Sequence, residues 1–220
     1  MSVAARRNAP GISLAEGLRA LAVWMPPQAQ ARLQRHVDLL AKWNRTYNLT
    51  AIREPERMVT HHVLDALAVL PHLPARESLR VLDVGSGGGV PGIPLAIARP
   101  HWHVTLLDSN GKKTTFLTQA AIELGLQNVD VATSRVEAFQ PAQPYDVAIS
   151  RAFSDLGDFA TGSARHLARD GVLAAMKGVH PDEELAQLPE DIEIIAAARI
   201  DVPGLDAQRH LIVMRPRSTR

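Results

Sequence analysis

The residues best placed to do chemistry in this sequence lie around a glycine-rich stretch, Asp83-Val-Gly85-Ser-Gly87-Gly-Gly89-Val90-Pro-Gly92, with Asp108 downstream. Glycine lets a backbone turn tightly and approach a ligand with no Cβ in the way. A carboxylate about 20 residues beyond such a turn can accept both hydroxyls of one ribose. Together they point to an adenosine derivative with free 2′ and 3′ hydroxyls. Gly87-x-Gly89-x-x-Gly92 formally fits a dinucleotide pattern, but a reading that starts at Gly85 puts Val90 where Gly or Ala belongs. Asp83-x-Gly85-x-Gly87-x-Gly89 better fits the acidic, three-glycine pattern of S-adenosylmethionine-dependent methyltransferases.

A second set of candidates follows. Arg151 closes an apolar run and suits a crevice at a strand's carboxyl end, where it can clamp the methionine carboxylate of a cofactor or a substrate phosphate with two parallel bonds. A structural ion pair with Asp155 or Asp146 is the plainer alternative. Arg135 and Lys177 are candidate phosphate contacts, and Arg209 with His210 can join the same rim. His61 and His62 are adjacent, so they point to different helix faces and do not chelate together, whereas His62 and Asp65 share a face. His101 and His103 lack a third ligand, so no metal is expected. The chain has no cysteine, which removes disulfides, thiolate metal sites and a thiol nucleophile.

The elements that must hold these residues follow from hydrophobic pattern and breakers. Strands are predicted at 80–84, 103–108, 129–133, 145–150 and 171–176, and helices at 91–98, 112–124 and 156–168. Alternation of this kind means a parallel sheet with right-handed crossovers. Residues 192–202 and 209–215 are two β-like runs joined by a link too short for a crossover helix, so they pair as a hairpin and add one antiparallel strand. Upstream, Ser13 caps a helix that Pro26-Pro27 stops, a second helix carries Leu33, Val37 and Leu40, Asn44–Thr50 reads as a polar loop, and Pro55 opens a third helix. The expected division is a disordered tail at 1–12, a helical cap at 13–74 and a methyltransferase domain at 75–217. The fold class is α/β, a Rossmann-like seven-stranded sheet with one antiparallel strand.

Composition sets the remaining bounds. At 220 residues, 21% of them charged, the chain carries a net charge of only +1, which argues against a large basic platform and leaves room for a local basic patch. No apolar run reaches membrane-spanning length, and Glu16 and Arg19 break the segment after Arg6-Arg7, so a cytoplasmic protein without a membrane partner is expected. The basic residues of the cap, among them Arg32, Arg35 and Arg45, fit an RNA-facing surface or an ordinary solvated one.

Several motifs occur in a telling order: Trp43-Asn-Arg-Thr-Tyr-Asn-Leu-Thr-Ala-Ile52, His62-Val-Leu-Asp-Ala-Leu67, the turn from Asp83 to Pro94, Ser134-Arg-Val-Glu137, Ile149-Ser-Arg-Ala152 and Met176-Lys-Gly178. Over residues 40 to 215 the chain resembles the RsmG family, also called glucose-inhibited division protein B, bacterial methyltransferases of guanine N7 in 16S ribosomal RNA. The resemblance implies S-adenosylmethionine held at Gly85, Val90, Asp108, Val136, Glu137 and Arg151, with Gly87 in the same turn. It also implies 16S rRNA or the small ribosomal subunit as partner, and turns His62 toward the active-site crevice. A monomer is expected. Val90 is smaller than the usual family residue, which loosens packing against the cofactor.

Guanine N7 has a lone pair and no proton, so its methylation needs alignment and exclusion of water more than a general base. Ser150-Arg-Ala-Phe153 stands where a methylase of exocyclic amines carries Asn/Asp-Pro-Pro-aromatic, and Arg151 stands where a ribose 2′-hydroxyl methylase needs an Asp. A small-molecule methyltransferase is the first alternative, and a cofactor-binding regulator without turnover the second. A basic, open crevice around Arg151 favours RNA, and a closed apolar one a metabolite.

Overall fold

Seven strands form one sheet in the order β3-β2-β1-β4-β5-β7-β6. The computed structural model describes residues 12–151, 153 and 155–217. The expected tail lies, as far as residue 11, outside the described residues. The strands are β1 (Arg80–Val84), β2 (His103–Asp108), β3 (Val129–Thr133), β4 (Tyr145–Ser150), β5 (Leu167–Lys177), β6 (Ile192–Arg199) and β7 (His210–Pro216). The first five pair in parallel, and β7 runs antiparallel to both β5 and β6. The hairpin read from the sequence is therefore present, and only β7 opposes the rest.

Among the described residues, four α-helices precede the sheet: α1 (Leu14–Ala20), α2 (Pro27–Tyr47), α3 (Pro55–Met58) and α4 (Asp65–Leu67), the last two joined by a π-helical turn at Val59–Leu64. Ser13 caps α1 in a reciprocal box with Glu16, as its spacing predicts. That helix ends at Ala20, short of the expected stop, because Leu21 already caps it and Ala22 turns into the left-handed region. Pro27 opens α2, since its fixed φ suits a first turn. The polar loop expected from Asn44 is mostly helix. α2 continues to Tyr47, Trp43 stacks on Tyr47, and Asn44 is buried with its amide tied to Thr50 and Ile52.

Between strands lie α5 (Gly92–Ala98), α6 (Gly111–Leu124), α7 (Leu156–Ala164) and α8 (Asp182–Ala186). α7 stops before the predicted 168, because Leu167 pairs with Tyr145 and the chain has already rejoined the sheet. This is tertiary pairing overriding local propensity. Two hydrophobic cores flank the sheet. One packs Leu33, Leu40, Leu64 and Leu67 of the upstream helices with Val81, Val104 and Val147. The other packs Leu82, Leu107, Ala148 and Leu173 against Leu156 and Phe159 of α7. The helices of 13–74 thus share a core with the sheet. Each large side chain buried there contributes about 1.5–3 kcal/mol relative to exposure. The result fixes the carboxyl ends of β1, β2, β4 and β5 along one edge, where crevices form in such sheets.

Candidate functional site

The first cavity, about 310 Å³, opens at the carboxyl ends of β1 and β2. Its lining includes Gly85, Asp108, Lys113, Val136, Glu137 and Phe153. The glycine turn is pinned from below by Asp83, which is fully buried and accepts from the Gly92 N–H at 2.9 Å. Burial pushes the Asp83 carboxyl up to about 7. A Cβ on Gly92 would meet the Leu106 side chain at 2.2 Å and the Asp83 carboxylate at 2.7 Å, so glycine is needed there for close packing.

Gly85 differs. Its φ is +75°, and a Cβ built on it would meet nothing within 4 Å. The turn therefore presents bare backbone to open space, the cradle that an approaching ligand requires. Asp108, buried across the cavity, accepts from the Gly87 N–H at 3.0 Å with one oxygen and from the Asn110 N–H at 2.9 Å with the other. Each oxygen keeps a lone pair for a ribose hydroxyl. Lys113 stands 3.8 Å away. The residues present therefore fit an adenosine cofactor.

The second cavity, about 360 Å³, lies at the carboxyl ends of β4 and β5 and is roofed by the upstream helices. It gathers Thr50, His61, His62, Asp65, Arg151, Lys177 and Arg209 from segments far apart in sequence. Asp65 is its anchor. One oxygen accepts from Arg209 Nε at 3.0 Å, and the other lies 3.7 Å from Arg151 Nη1. Burial raises the Asp65 carboxyl, and the two guanidiniums oppose that shift. Arg151 Nη1 also donates to the His61 carbonyl at 2.9 Å, and His62 Nδ1 lies 2.9 Å from both that nitrogen and that carbonyl oxygen. Burial and the neighbouring Arg151 charge hold the His62 ring down at about 3, so it is neutral. Lys177 Nζ is bound at 2.7 Å by Glu184, whose carboxylate also accepts from the Leu156 N–H.

The sequence-predicted residues divide between the two cavities. Gly85, Asp108, Val136 and Glu137 line the first, together with Arg135 at its mouth, which was expected beside a phosphate. Arg151, Lys177, Arg209 and His62 line the second. Gly87 and Val90 line neither: the Gly87 N–H is turned to Asp108, and Val90 is buried at the start of the turn into α5. Arg151 lies outside the first cavity, and its ion-pair partner is Asp65. Asp155 caps α7, and Asp146 is held by Arg76 and the Arg80 N–H. His61 and His62 reach the same cavity despite their adjacency, because His61 also contributes its carbonyl to Arg151. His62 and Asp65 share a face as expected, and both turn toward Arg151. Among the described residues no group of three His, Cys, Asp or Glu is placed to hold a metal.

Thr50, Lys113 and Phe153 were not picked out from the sequence. Thr50 is one position in a polar run, and only the fold brings it to His62. Phe153 had a signal in its place, three residues beyond the end of β4. Arg151 lines the second cavity and Phe153, two positions on, the first.

The sequence and the fold are matched by known proteins. A family model described as GidB, rRNA small subunit methyltransferase G, covers residues 29–212. The chain belongs to this family. It is 55% identical over 199 residues to "Ribosomal RNA small subunit methyltransferase G" of Laribacter hongkongensis, spanning 90% of this chain and 95% of that protein. It is 51% identical over 204 residues to the protein of the same name from Neisseria meningitidis serogroup B, spanning 93% and 97%. Among solved structures, TrmN from Thermus thermophilus aligns with a TM-score of 0.55 at 22% identity, over 69% of this chain and 48% of that one. TYW2 from P. horikoshii, in complex with MeSAdo, aligns at 0.53 and 14%, over 71% and 62%. At such identities these two establish the fold alone: a Rossmann-like methyltransferase sheet.

Proposed function

We propose that this protein transfers the methyl group of S-adenosylmethionine to N7 of a guanine in small-subunit (16S) ribosomal RNA. Family membership supports ribosomal RNA as the substrate class. The observation that carries the mechanism is the pairing of cavities beyond β4: Phe153 lines a ribose-compatible cavity, and Arg151, two positions away, lines a cationic one. When bound, S-adenosylmethionine supplies an electrophilic methyl on a sulfonium. Gly85 offers it bare backbone, Asp108 takes the ribose hydroxyls, and Val136 and Glu137 form the far wall.

The second cavity suits a purine whose reacting nitrogen carries no proton. Asp65 is occupied by two arginines, and the His62 ring, buried beside the Arg151 charge, is a weak base. Among the described residues no side chain there is poised to remove a proton, and N7 asks for none. Arg151 and Arg209 instead supply fixed positive charge for an RNA phosphate, a rim that suits RNA better than an apolar metabolite. The test is nucleoside mass spectrometry of 16S rRNA from a strain lacking the gene. One N7-methylguanosine should disappear and return on complementation, whereas an unchanged nucleoside profile would overturn the proposal.

A further inference from the structure

Resting on the cofactor reading above, we propose that His36 is a positioning residue for the methyl donor: through one hydrogen bond it holds the glycine turn in the shape that accepts S-adenosylmethionine. The ring stands on α2, buried beside the apolar side chains of Leu33, Val37 and Leu40. Its Nε2 lies 3.0 Å from the Gly88 carbonyl oxygen. A carbonyl only accepts, so Nε2 carries the proton and donates. Nδ1 is buried and meets no partner among the described residues, so no second contact competes for that proton. Leaving a ring nitrogen unpaired in the interior costs free energy that an apolar side chain would avoid. What histidine adds at this position over a leucine is the bond at Nε2.

The turn needs such a bond. Gly87, Gly88 and Gly89 follow one another, and glycine has little preference among backbone shapes. The peptide unit between Gly88 and Gly89 can rotate with no Cβ in its way, so its orientation is set from outside. Its N–H donates to the Ser86 carbonyl at 2.8 Å, and its own carbonyl takes the His36 proton. Without His36 the N–H end alone would hold it. The Gly89–Ser86 bond closes the loop from which the Gly87 N–H reaches Asp108. The orientation of this unit is thereby passed to Gly85 and Asp108, which line the first cavity. Leu40, one turn further along α2, seats against the same residue: a Cβ on Gly88 would meet its side chain at 2.8 Å. Asp83 and Asp108 brace the turn from β1 and β2. Among the described residues, His36 supplies the one hydrogen bond from the upstream helices to residues 85–89.

The experiment compares His36→Gln with His36→Met in the full chain. The two side chains are close in length and shape, and only glutamine can donate near the Nε2 position. The calorimetric probe is S-adenosylhomocysteine. His36→Met should bind it roughly fivefold to fiftyfold more weakly, the loss of one hydrogen bond with its acceptor left unpaired, and His36→Gln should recover most of that affinity. In rRNA methylation His36→Met should raise KM for S-adenosylmethionine and keep kcat within about twofold at saturation. Ile192→Ala, a core loss on the edge strand β6, should lower Tm and leave affinity for the probe unchanged, which separates positioning from general destabilisation. A further measurement needs no variant: in wild-type protein with nitrogen-labelled histidine, the His36 Nε2–H resonance should shift when the probe binds, although the ring lines neither cavity. Wild-type affinity in His36→Met overturns the proposal. So does an equal loss in His36→Gln and His36→Met, or a matching loss in Ile192→Ala. If His36→Met does not fold, an Nε2–H resonance indifferent to the probe overturns it. If wild-type protein does not bind the probe at all, the cofactor reading itself has failed, a result distinct from these.

Discussion

Replacing Asp65 by Asn should separate the two cavities energetically. The Asp65 side chain is only 3% exposed, and the two arginines that converge on it are 27% and 23% exposed. Asn keeps the shape, removes the charge and leaves two guanidiniums facing one amide. Removing one member of a fully buried ion pair costs about 3–5 kcal/mol. A charge-assisted hydrogen bond is worth about 1.5–3 kcal/mol. Because solvent reaches both arginines, the lower part of these ranges applies, about 2–3 kcal/mol. In a domain of this size each kcal/mol moves Tm by roughly 2–4 °C, so melting should fall by about 4–12 °C. Asp65 does not line the first cavity, and calorimetry with S-adenosylhomocysteine should show unchanged affinity. Methylation of rRNA should fall at least ~10-fold in kcat/KM, since Arg151 and Arg209 lose the group that orients them. The reasoning is refuted if cofactor affinity falls in step with turnover, or if Tm does not move.

Gly85→Val should abolish cofactor binding on folded protein, because the position has positive φ and its missing Cβ faces the cavity; retained binding by calorimetry would make the turn merely structural. Asp108→Ala should weaken S-adenosylmethionine and S-adenosylhomocysteine alike by roughly 1.5–3 kcal/mol, as both carry the ribose; a loss confined to one ligand would move the contact elsewhere. In single-turnover methylation Glu137→Gln should fall far short of the ~10²–10⁴-fold loss that removal of a general base causes. Arg151→Ala should do worse, and Arg151→Lys should rescue little because one ammonium cannot replace a guanidinium fork; a base-sized loss in Glu137→Gln with binding intact would point to a proton-bearing acceptor. Stability should depend on pH through His36, buried with Nε2 on the Gly88 carbonyl and depressed by burial to about 4. A depressed histidine contributes stability that is full above its unfolded value, near 6.5, and is lost as pH falls toward 4, on the order of 3 kcal/mol. Urea melts should show this acid slope flattened in His36→Gln. Asp83, raised to about 7, acts oppositely, its contribution full below about 3.8 and lost as pH rises through 7, but it cancels between variant and wild type.

Much of this protein was legible in its sequence because the relevant physics is local. The strand–glycine–helix turn needs φ > 0 at Gly85, Gly87 and Gly89, and only certain residues allow it. The alternation of strands and helices set the parallel sheet, and a link too short for a crossover set the antiparallel β7. Asp108 closes β2 and was legible from its distance to the glycine turn, whereas the Val136-Glu137 pair was indicated by the family resemblance; adjacent strands of the sheet bring both to one cavity. Tertiary structure decided the rest. α7 ended early because Leu167 found Tyr145, and Asn44–Tyr47 became helix because the aromatic and amide contacts there favour it. Above all, the second cavity joins Thr50, His62 and Asp65 to Arg151 and Arg209, residues up to 144 positions apart in direct contact. Asp65 is an ordinary helical carboxylate in the sequence. It becomes the anchor of a cationic site because packing the upstream helices onto the sheet removes its water and leaves two arginines as its charged partners.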